Sequence, residues 1–371
     1  MPEPEITLNP LCCLPSEDLA LIRNAVIEAA NIAETAFLKN DAKVWDKEKG
    51  HPVTDADIAV NDYLDKTLRA ARPEYGWLSE ETKDDHSRHA CPRSFVVDPI
   101  DGTRAFIDRT PNFAVSIAVI EKGRSIAGVV MNPLKDELYE ASLGGGAFLN
   151  GKTLKITDSD TIENINMVGY PRKFRRLGFP DMNVSIANSM AYRICLVTSG
   201  EAHATIAFTP KSDWDVAAAA LIASEAGGII TDIRGETPFF DSETTSGLGV
   251  ICAGPTLHGL LLEKVTPHLE SFSKGRDFKF LGTKMSDRKN KDGMNADQLL
   301  HLVIGGELVD PNKTEFINLD EVEFVGAYPN FEEARKAWKA AAQRTVDNAH
   351  MRYFILHAHD LLDPDGDGYI G

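Results

Sequence analysis

The 371-residue chain predicts an α/β unit over residues 1–270, a linker over 271–298 and a small α+β domain over 299–371. Three observations carry this. Apolar residues near the N-terminus recur every three or four positions, which is the helical period. Further on, β-branched and aromatic runs bounded by Pro, Gly and Asn alternate with such helices, as mixed folds require. Between Ser271 and Gln298, Lys274, Arg276, Lys279, Lys284, Arg288, Lys289 and Lys291 sit among Gly, Ser and Asp with little apolar periodicity, the texture of a linker.

Taken in order, Leu19, Ile22, Val26, Ala29, Ala33 and Phe37 place a helix over Ser16–Leu38, and Val60, Leu64 and Leu68 mark a second one after Thr54. Ser94–Val97, Phe113–Ile120 and Ile126–Met131 read as strands, and Asn150-Gly151 as a hairpin turn. Strands and helices then continue to about Leu262. Beyond the linker, Leu300–Ile304, Val322–Val325 and Tyr353–Leu356 read as strands. Between the last two, Asn330 and Glu333 have N-cap spacing before a helix with Phe331, Ala334, Ala337, Trp338, Ala341 and Ala342.

With 43% hydrophobic and 26% charged residues the composition is that of a soluble globular protein. Lys plus Arg is 39 and Asp plus Glu is 56, so 39 − 56 gives a net charge of −17. A field of that sign repels phosphate backbones and anionic lipid, so neither nucleic acid nor a membrane is expected as partner. An anionic substrate needs positive charge gathered locally, for example on metal ions. The five cysteines (Cys12, Cys13, Cys91, Cys195, Cys252) fit neither a disulfide framework nor a zinc ribbon. No Lys or Arg precedes Arg23 and no apolar run reaches the roughly 18 residues of a membrane span, so a cytoplasmic location is expected.

The chemistry lies in acids. In Phe95-Val96-Val97-Asp98-Pro99-Ile100-Asp101-Gly102-Thr103 an apolar strand ends in Asp98, Pro99 prevents strand pairing there, and Asp101 follows at a Gly turn. Two carboxylates fixed at a strand end suit hard cations holding a phosphate, and amides from Gly102 onward suit an anion. Simple turn chemistry explains the same two acids. Glu80-Glu81 is read as a solvated pair or as one inward and one outward acid. In Thr54-Asp55-Ala56-Asp57 either Asp can serve as helix N-cap, and Asp215 in Trp214-Asp215 opens an Ala-rich helix that Gly227-Gly228 closes.

Together, Asp57, Glu80-Glu81, Asp98-Pro99-Ile100-Asp101-Gly102-Thr103 and Trp214-Asp215-x11-Gly227-Gly228 resemble the signature of the inositol monophosphatase superfamily, in order and in spacing. Gly146-Ala147-Phe148-Leu149-Asn150-Gly151 resembles that family's Gly-Ala-Phe and Asn-Gly hairpin, and the resemblance spans about Leu19 to Val265. It implies a layered αβαβα fold and a magnesium-dependent, lithium-sensitive phosphatase. By the same resemblance Glu80, Asp98, Asp101, Asp215 and the carbonyl of Ile100 hold two or three Mg²⁺. Thr103, with Glu80 and Asp57, orients and deprotonates the attacking water, and no phosphoenzyme forms. Gly102 and Thr103 hold phosphate oxygens, Arg104 and Ser189 contact substrate, and Glu81 is at best peripheral.

Inositol-specific members carry an acid seven residues before the Trp-Asp acid, where this chain has Phe208, which offers a purine a ring face instead. Tyr170-Pro-Arg172-Lys173-Phe-Arg175-Arg176 is read either as a solvated basic loop or as a seat for a second phosphate. With Ser189-Met190-Ala191-Tyr192-Arg193, the block is most similar to bacterial 3'(2'),5'-bisphosphate nucleotidases, which implies 3'-phosphoadenosine 5'-phosphate as substrate. Inositol 1-phosphate and histidinol phosphate are the alternatives, and the rival class is a scaffold that binds partners through its C-terminal domain. A homodimer is implied by analogy alone.

The C-terminal segment, with Val325-Gly326-Ala327-Tyr328-Pro329, resembles a small bacterial domain family of unknown function. His350, His357 and His359 read as strand-end polar residues rather than a metal cluster. Asp363-Pro-Asp365-Gly-Asp367-Gly368 matches the start of a calcium loop, but the chain ends before the twelfth-position Glu, so weak or no calcium binding is expected.

Overall fold

A computed structural model describes residues 14–48, 51–269, 301–309, 316–318, 321–328, 331–345 and 350–356. The chain divides into two compact units, 1–280 and 281–371.

The first unit opens with the expected amphipathic helix, α1 (Pro15–Lys39), whose Ile22, Val26, Ala29, Ala33 and Phe37 are buried. An antiparallel hairpin of β1 (Val44–Glu48) and β2 (His51–Thr54) leads into α2 (Asp55–Ala71), buried along Val60, Leu64 and Leu68. Next come β3 (Gly76–Ser79), β4 (Ser94–Asp101) and the short α3 (Thr103–Ile107). They are followed by β5 (Ala114–Glu121), β6 (Arg124–Asn132), β7 (Glu137–Ser142), β8 (Gly146–Leu149) and β9 (Lys152–Thr153). β3 to β9 form one seven-stranded sheet in sequence order, antiparallel except between β3 and β4. Asn150 and Gly151, both at positive φ, make the two-residue turn between β8 and β9, as their sequence predicts.

The chain continues through β10 (Asn166–Val168), α4 (Pro171–Arg176), β11 (Asn183–Ser185), α5 (Met190–Thr198), β12 (Ala204–Ala207) and β13 (Lys211–Ser212). It closes with α6 (Asp213–Glu225), β14 (Ile229–Thr231), β15 (Ser246–Gly247), β16 (Val250–Ala253) and α7 (Pro255–Val265). A second sheet has the order β11-β10-β12-β16-β14.

Packing is layered. α1 and α2 cover one face of the large sheet, with Ile22, Val60, Phe95 and Ile117 in their shared core. α5 and α6 fill the space between the two sheets, and α7 covers the far side of the second. The result is the αβαβα stack. α6 lies against β6 at Gly128, where a Cβ would come within 2.7 Å of the Ala218 carbonyl oxygen. The small residues of α6, from Ala217 to Ala220, permit that approach.

Three local expectations are corrected. The strand read as Ser94–Val97 runs on to Asp101 by way of a bulge: Asp98 pairs with Ser116 and Asp101 with Ala114, so β4 holds one more residue than β5 there. Pro99 sits in the bulge, where its missing N–H leaves no ladder bond unmade. The basic run is the helix α4, with Pro171 fitting its first turn, rather than a loop. Neither Asp55, Asp57 nor Asp215 is an N-cap. Thr54 and Ser212 are the caps, and Asp57 and Asp215 both stand three residues inside, reaching back to the cap amides at 2.8 and 2.9 Å.

The second unit is an antiparallel sheet of β17 (His301–Glu307), β18 (Glu323–Tyr328) and β19 (Met351–Leu356), in the order β18-β17-β19, packed by α8 (Phe331–Arg344). Trp338 Nε1 donates to the Tyr353 carbonyl at 2.7 Å, tying helix to sheet. His350 Nδ1 lies 3.1 Å from the Leu308 carbonyl oxygen. The linker 271–298, the cap Asn330, His357, His359, Cys12, Cys13 and the acidic tail 363–371 lie outside the described residues. Cys91, Cys195 and Cys252 are free thiols. Among the described residues no helix is long and apolar enough to cross a membrane.

Candidate active site and metal centre

The bulge in β4 and the first turn of α6 bring three acids to one point. Asp98, Asp101 and Asp215 each offer a carboxylate oxygen, and these oxygens all lie within 4.8 Å of one another. Asp98 is 1% exposed and its Oδ1 has no hydrogen-bond partner. A buried carboxylate oxygen left unpaired is costly, and three oxygen donors in this spacing are the donor set that a hard divalent cation takes. The residues therefore fit a metal of that class.

Burial pushes Asp98 well above the ordinary carboxylate range, and repulsion from Glu80, Asp101, Asp215 and Asp57 adds to it. Asp101 is pushed up to about 7 by burial and by Asp215, against the pull of Ser189, the Ala191 amide and Lys211. Burial also raises Asp215, while Lys211, the Ser212 amide and Arg193 oppose the rise. Without cations each of these acids is easier to protonate than a free carboxylate.

Asp101 is held at the start of α5, where Ser189 Oγ donates to it at 2.6 Å, the Ala191 amide at 2.6 Å and the Met190 amide at 3.1 Å. Ser189 is fully buried and also caps α5. The sequence reading gave Ser189 to the substrate; its hydroxyl is instead spent on Asp101.

Thr103 opens α3 from Gly102, whose φ of 97° is the left-handed region. A Cβ on Gly102 would meet the Asn112 carbonyl oxygen and the Ser189 amide, each at 3.1 Å. Thr103 Oγ1 lies 3.2 Å from Asp57 Oδ1 and 3.3 Å from the Ile100 carbonyl oxygen. Asp57 Oδ2 accepts from the amide and the hydroxyl of Thr54, at 2.8 and 2.5 Å. Burial raises the Asp57 pKa despite those donors.

Glu80 stands near the cluster, its pKa raised by burial and by Asp215 and Asp57, with Lys47 opposing. Lys47, on β1, sits 3.5 Å from Glu80 Oε1 and forms an ion pair with Glu81. Glu81 is thus an inward acid with a buried side chain, pushed up to about 7 by burial. Sequence reasoning missed Lys47, because one lysine in a charged hairpin carries no signal. It also missed Thr54 as the holder of Asp57, although Thr54-x-x-Asp57 and Ser212-x-x-Asp215 both have capping-box spacing.

Arg104 is exposed on α3. Phe208 is corrected: it is 9% exposed, belongs to the second-sheet core, and meets Phe174 edge to face at 5.8 Å, so it offers no open face for a purine to stack on. It does form part of a cavity wall with Tyr170, Lys173, Arg193, Thr209 and Lys211.

Comparison with known proteins agrees with this architecture. The chain is 31% identical over 268 residues to an inositol-1-monophosphatase of Mesorhizobium japonicum, covering 67% of this chain and 97% of that one. It is 33% identical over 242 residues to a protein of Pseudomonas aeruginosa named Nus factor SuhB, covering 61% and 87%. The solved structure of the extragenic suppressor protein suhB from Bartonella henselae shares the fold with a TM-score of 0.60 at 24% identity, covering 67% and 98%. Residues 299–358 match Domain of unknown function (DUF4170). Residues 15–270 match the model of the inositol monophosphatase family, which is most of the first unit including every acid of the cluster, and the chain belongs to that family of phosphatases.

Proposed function

We propose that the protein is a Mg²⁺-dependent phosphomonoesterase that hydrolyses a small phosphorylated metabolite, with 3'-phosphoadenosine 5'-phosphate as the first candidate substrate. The convergence of Asp98, Asp101 and Asp215 around the unpartnered Asp98 oxygen carries this reading. Asp98, Asp101, Asp215, Glu80 and the Ile100 carbonyl would hold the ions. When bound, such cations lower the pKa of water and neutralise phosphate charge.

The chain's own groups supply the rest. Thr103 Oγ1 can take a hydrogen bond from the attacking water while donating to Asp57, and Thr54 fixes Asp57 as the terminal proton acceptor. Burial raises the Asp57 carboxylate above its ordinary range, which makes it a better proton acceptor than a free aspartate. Gly102 turns the backbone so that the amides at the start of α3 are donors for phosphate oxygens. Arg104 is the exposed cation nearest in sequence to that turn.

Phe208, where inositol-specific relatives have an acid, supports a substrate other than inositol 1-phosphate, which with histidinol phosphate is the alternative. Several relatives bear the name of a Nus factor, so kinship lends nothing to the expectation that nucleic acid is no partner; the net charge of −17 supports it. That name also keeps a second, non-enzymatic reading in view, in which the chain acts by binding.

Asp98→Asn is the deciding variant. Asn closely copies the protonated acid that burial favours, so circular dichroism and melting temperature are expected to stay near wild type while Mg²⁺-dependent turnover is lost. Retained turnover defeats the metal assignment. Turnover on the three named esters ranks the substrates.

A further inference from the structure

A buried arginine ties the segment that delivers Glu80 to the helix that delivers Asp215. Arg88 lies in a 3₁₀ turn, Ser87–Ala90, a few residues beyond Glu80 and Glu81. Its backbone is seated on the start of β3, where a Cβ on Gly76 would come within 2.7 Å of the Arg88 Cα. The side chain is fully buried and every guanidinium nitrogen is used. Nε donates to Asp84 at 3.1 Å, Nη1 to Asp241 at 2.8 Å and Nη2 to the Ser242 carbonyl at 2.8 Å.

Asp241 and Ser242 stand in the loop before β15, and that loop is fastened to the start of α6. The Asp213 amide donates to the Thr245 carbonyl at 2.9 Å, and Ser246 pairs with Ser212, the cap of α6. Asp213 also marks how close the fork comes to the acids. It is 5% exposed, and its Oδ2 has no hydrogen-bond partner. Burial raises its pKa, Arg88 opposes the rise, and Asp241, Asp215 and Asp84 add to it. A planar fork with acceptors on two segments fixes their separation, which a lysine cannot copy. Mg²⁺ demands near-ideal geometry from its oxygen donors, so a separation fixed here matters at the ligands.

We infer that Arg88 is a positioning residue of the metal centre, holding the Glu80 segment and the start of α6 at the spacing that the bound ions require. It acts through Asp84, Asp241 and the Ser242 carbonyl and is itself neither a metal ligand nor a substrate contact. The inference rests on the acids being a metal centre, and it goes beyond that reading by assigning a residue outside the cluster.

Calorimetric titration of the full chain with Mn²⁺, which takes the same oxygen donors as Mg²⁺, tests it without turnover. Arg88→Lys keeps the charge and loses the fork, and its Mn²⁺ dissociation constant is expected to rise about tenfold, as when other groups that orient metal ligands are removed. Arg93→Lys is the control for destabilisation alone, because Arg93 is equally buried but bonds Asp18 of α1 and Glu121 of β5. It is expected to lower the melting temperature and leave Mn²⁺ affinity near wild type. Asp241→Asn weakens one arm of the fork at a partly exposed side chain and decides if Arg88→Lys does not fold; several-fold weaker Mn²⁺ binding is expected there. Unchanged affinity in folded Arg88→Lys, or in Asp241→Asn where Arg88→Lys does not fold, overturns the assignment, and so does an equal loss in Arg93→Lys. In turnover, the Mg²⁺ half-saturation point is expected to move with Mn²⁺ affinity, while kcat at saturating Mg²⁺ stays within a few-fold. A lower kcat with an unmoved half-saturation point reports only lost folded protein and overturns the role. If wild type turns over no ester, the phosphatase reading fails on its own and the Mn²⁺ comparison still judges Arg88. Wild type that binds no Mn²⁺ overturns both.

Discussion

Ser189 Oγ donates to Asp101 Oδ2 at 2.6 Å while accepting the Tyr192 amide at 3.0 Å, so one hydroxyl both caps α5 and aims a cluster acid. Ser189→Ala separates these roles. Loss of the cap costs about 1 kcal/mol of stability. Loss of the aim is expected to raise the Mg²⁺ concentration for half-maximal activity about 10- to 100-fold, the usual effect of removing a group that orients a ligand. Activity titrated against Mg²⁺ reads the second effect, and an unmoved half-saturation point would show that Asp101 does not bind metal.

Thr103→Val keeps the shape at the start of α3 and removes the hydroxyl between Asp57 and the Ile100 carbonyl. It is expected to lower kcat about 100-fold or more, in the range of general base catalysis, with the Mg²⁺ half-saturation point little changed. Equal kcat for wild type and variant removes Thr103 from the proton path.

The raised acids make metal-free stability depend on pH. Asp101 and Glu81 are pushed up to about 7 in the fold, above their values in the unfolded chain, so the folded state binds more protons between the ordinary carboxylate range and neutrality. The stability these two groups contribute is therefore fully present below the ordinary carboxylate range and is lost as pH rises through 7. In the metal-free protein the melting temperature is expected to be higher at pH 5.5 than at pH 8, and millimolar Mg²⁺ is expected to close that gap. A metal-free melting temperature that rises over this interval would contradict the crowding of the acids.

Gly102→Ala puts a side chain at φ 97° against the Asn112 carbonyl and the Ser189 amide. Strain of this kind costs about 1–3 kcal/mol, which thermal unfolding detects. Because the neighbours that must yield include the Ser189 backbone, Mg²⁺ affinity is expected to fall as well. A variant as stable and as active as wild type would mean that the turn tolerates a β-carbon.

Much of the frame was legible because it follows from period and punctuation. The stripe through Ile22, Val26 and Phe37 specified α1, and Asn150-Gly151 specified a hairpin. Asp98 and Asp101 were readable as acids on a strand end, though the bulge that carries them was not, because pairing register depends on β5 as much as on β4. Ser189 and Phe208 were misassigned for a shared reason: motif spacing places a residue in a neighbourhood, while which way its side chain turns is decided by competing partners, Asp101 in one case and Phe174 in the other. Lys47 was invisible because its significance lies entirely in the two glutamates brought to it from thirty-odd positions away.

Gly128 lets α6 rest almost backbone to backbone on β6. Two of the clustered acids ride on the sheet and the third on that helix, so the gap between them is gauged by a contact of main chains, which is stiff, and not by long side chains, which swing. A fixed gauge sorts ions by radius. A small ion that demands short, regular bonds fits it unchanged, whereas a larger and more tolerant one has to wedge two layers of the molecule apart to enter.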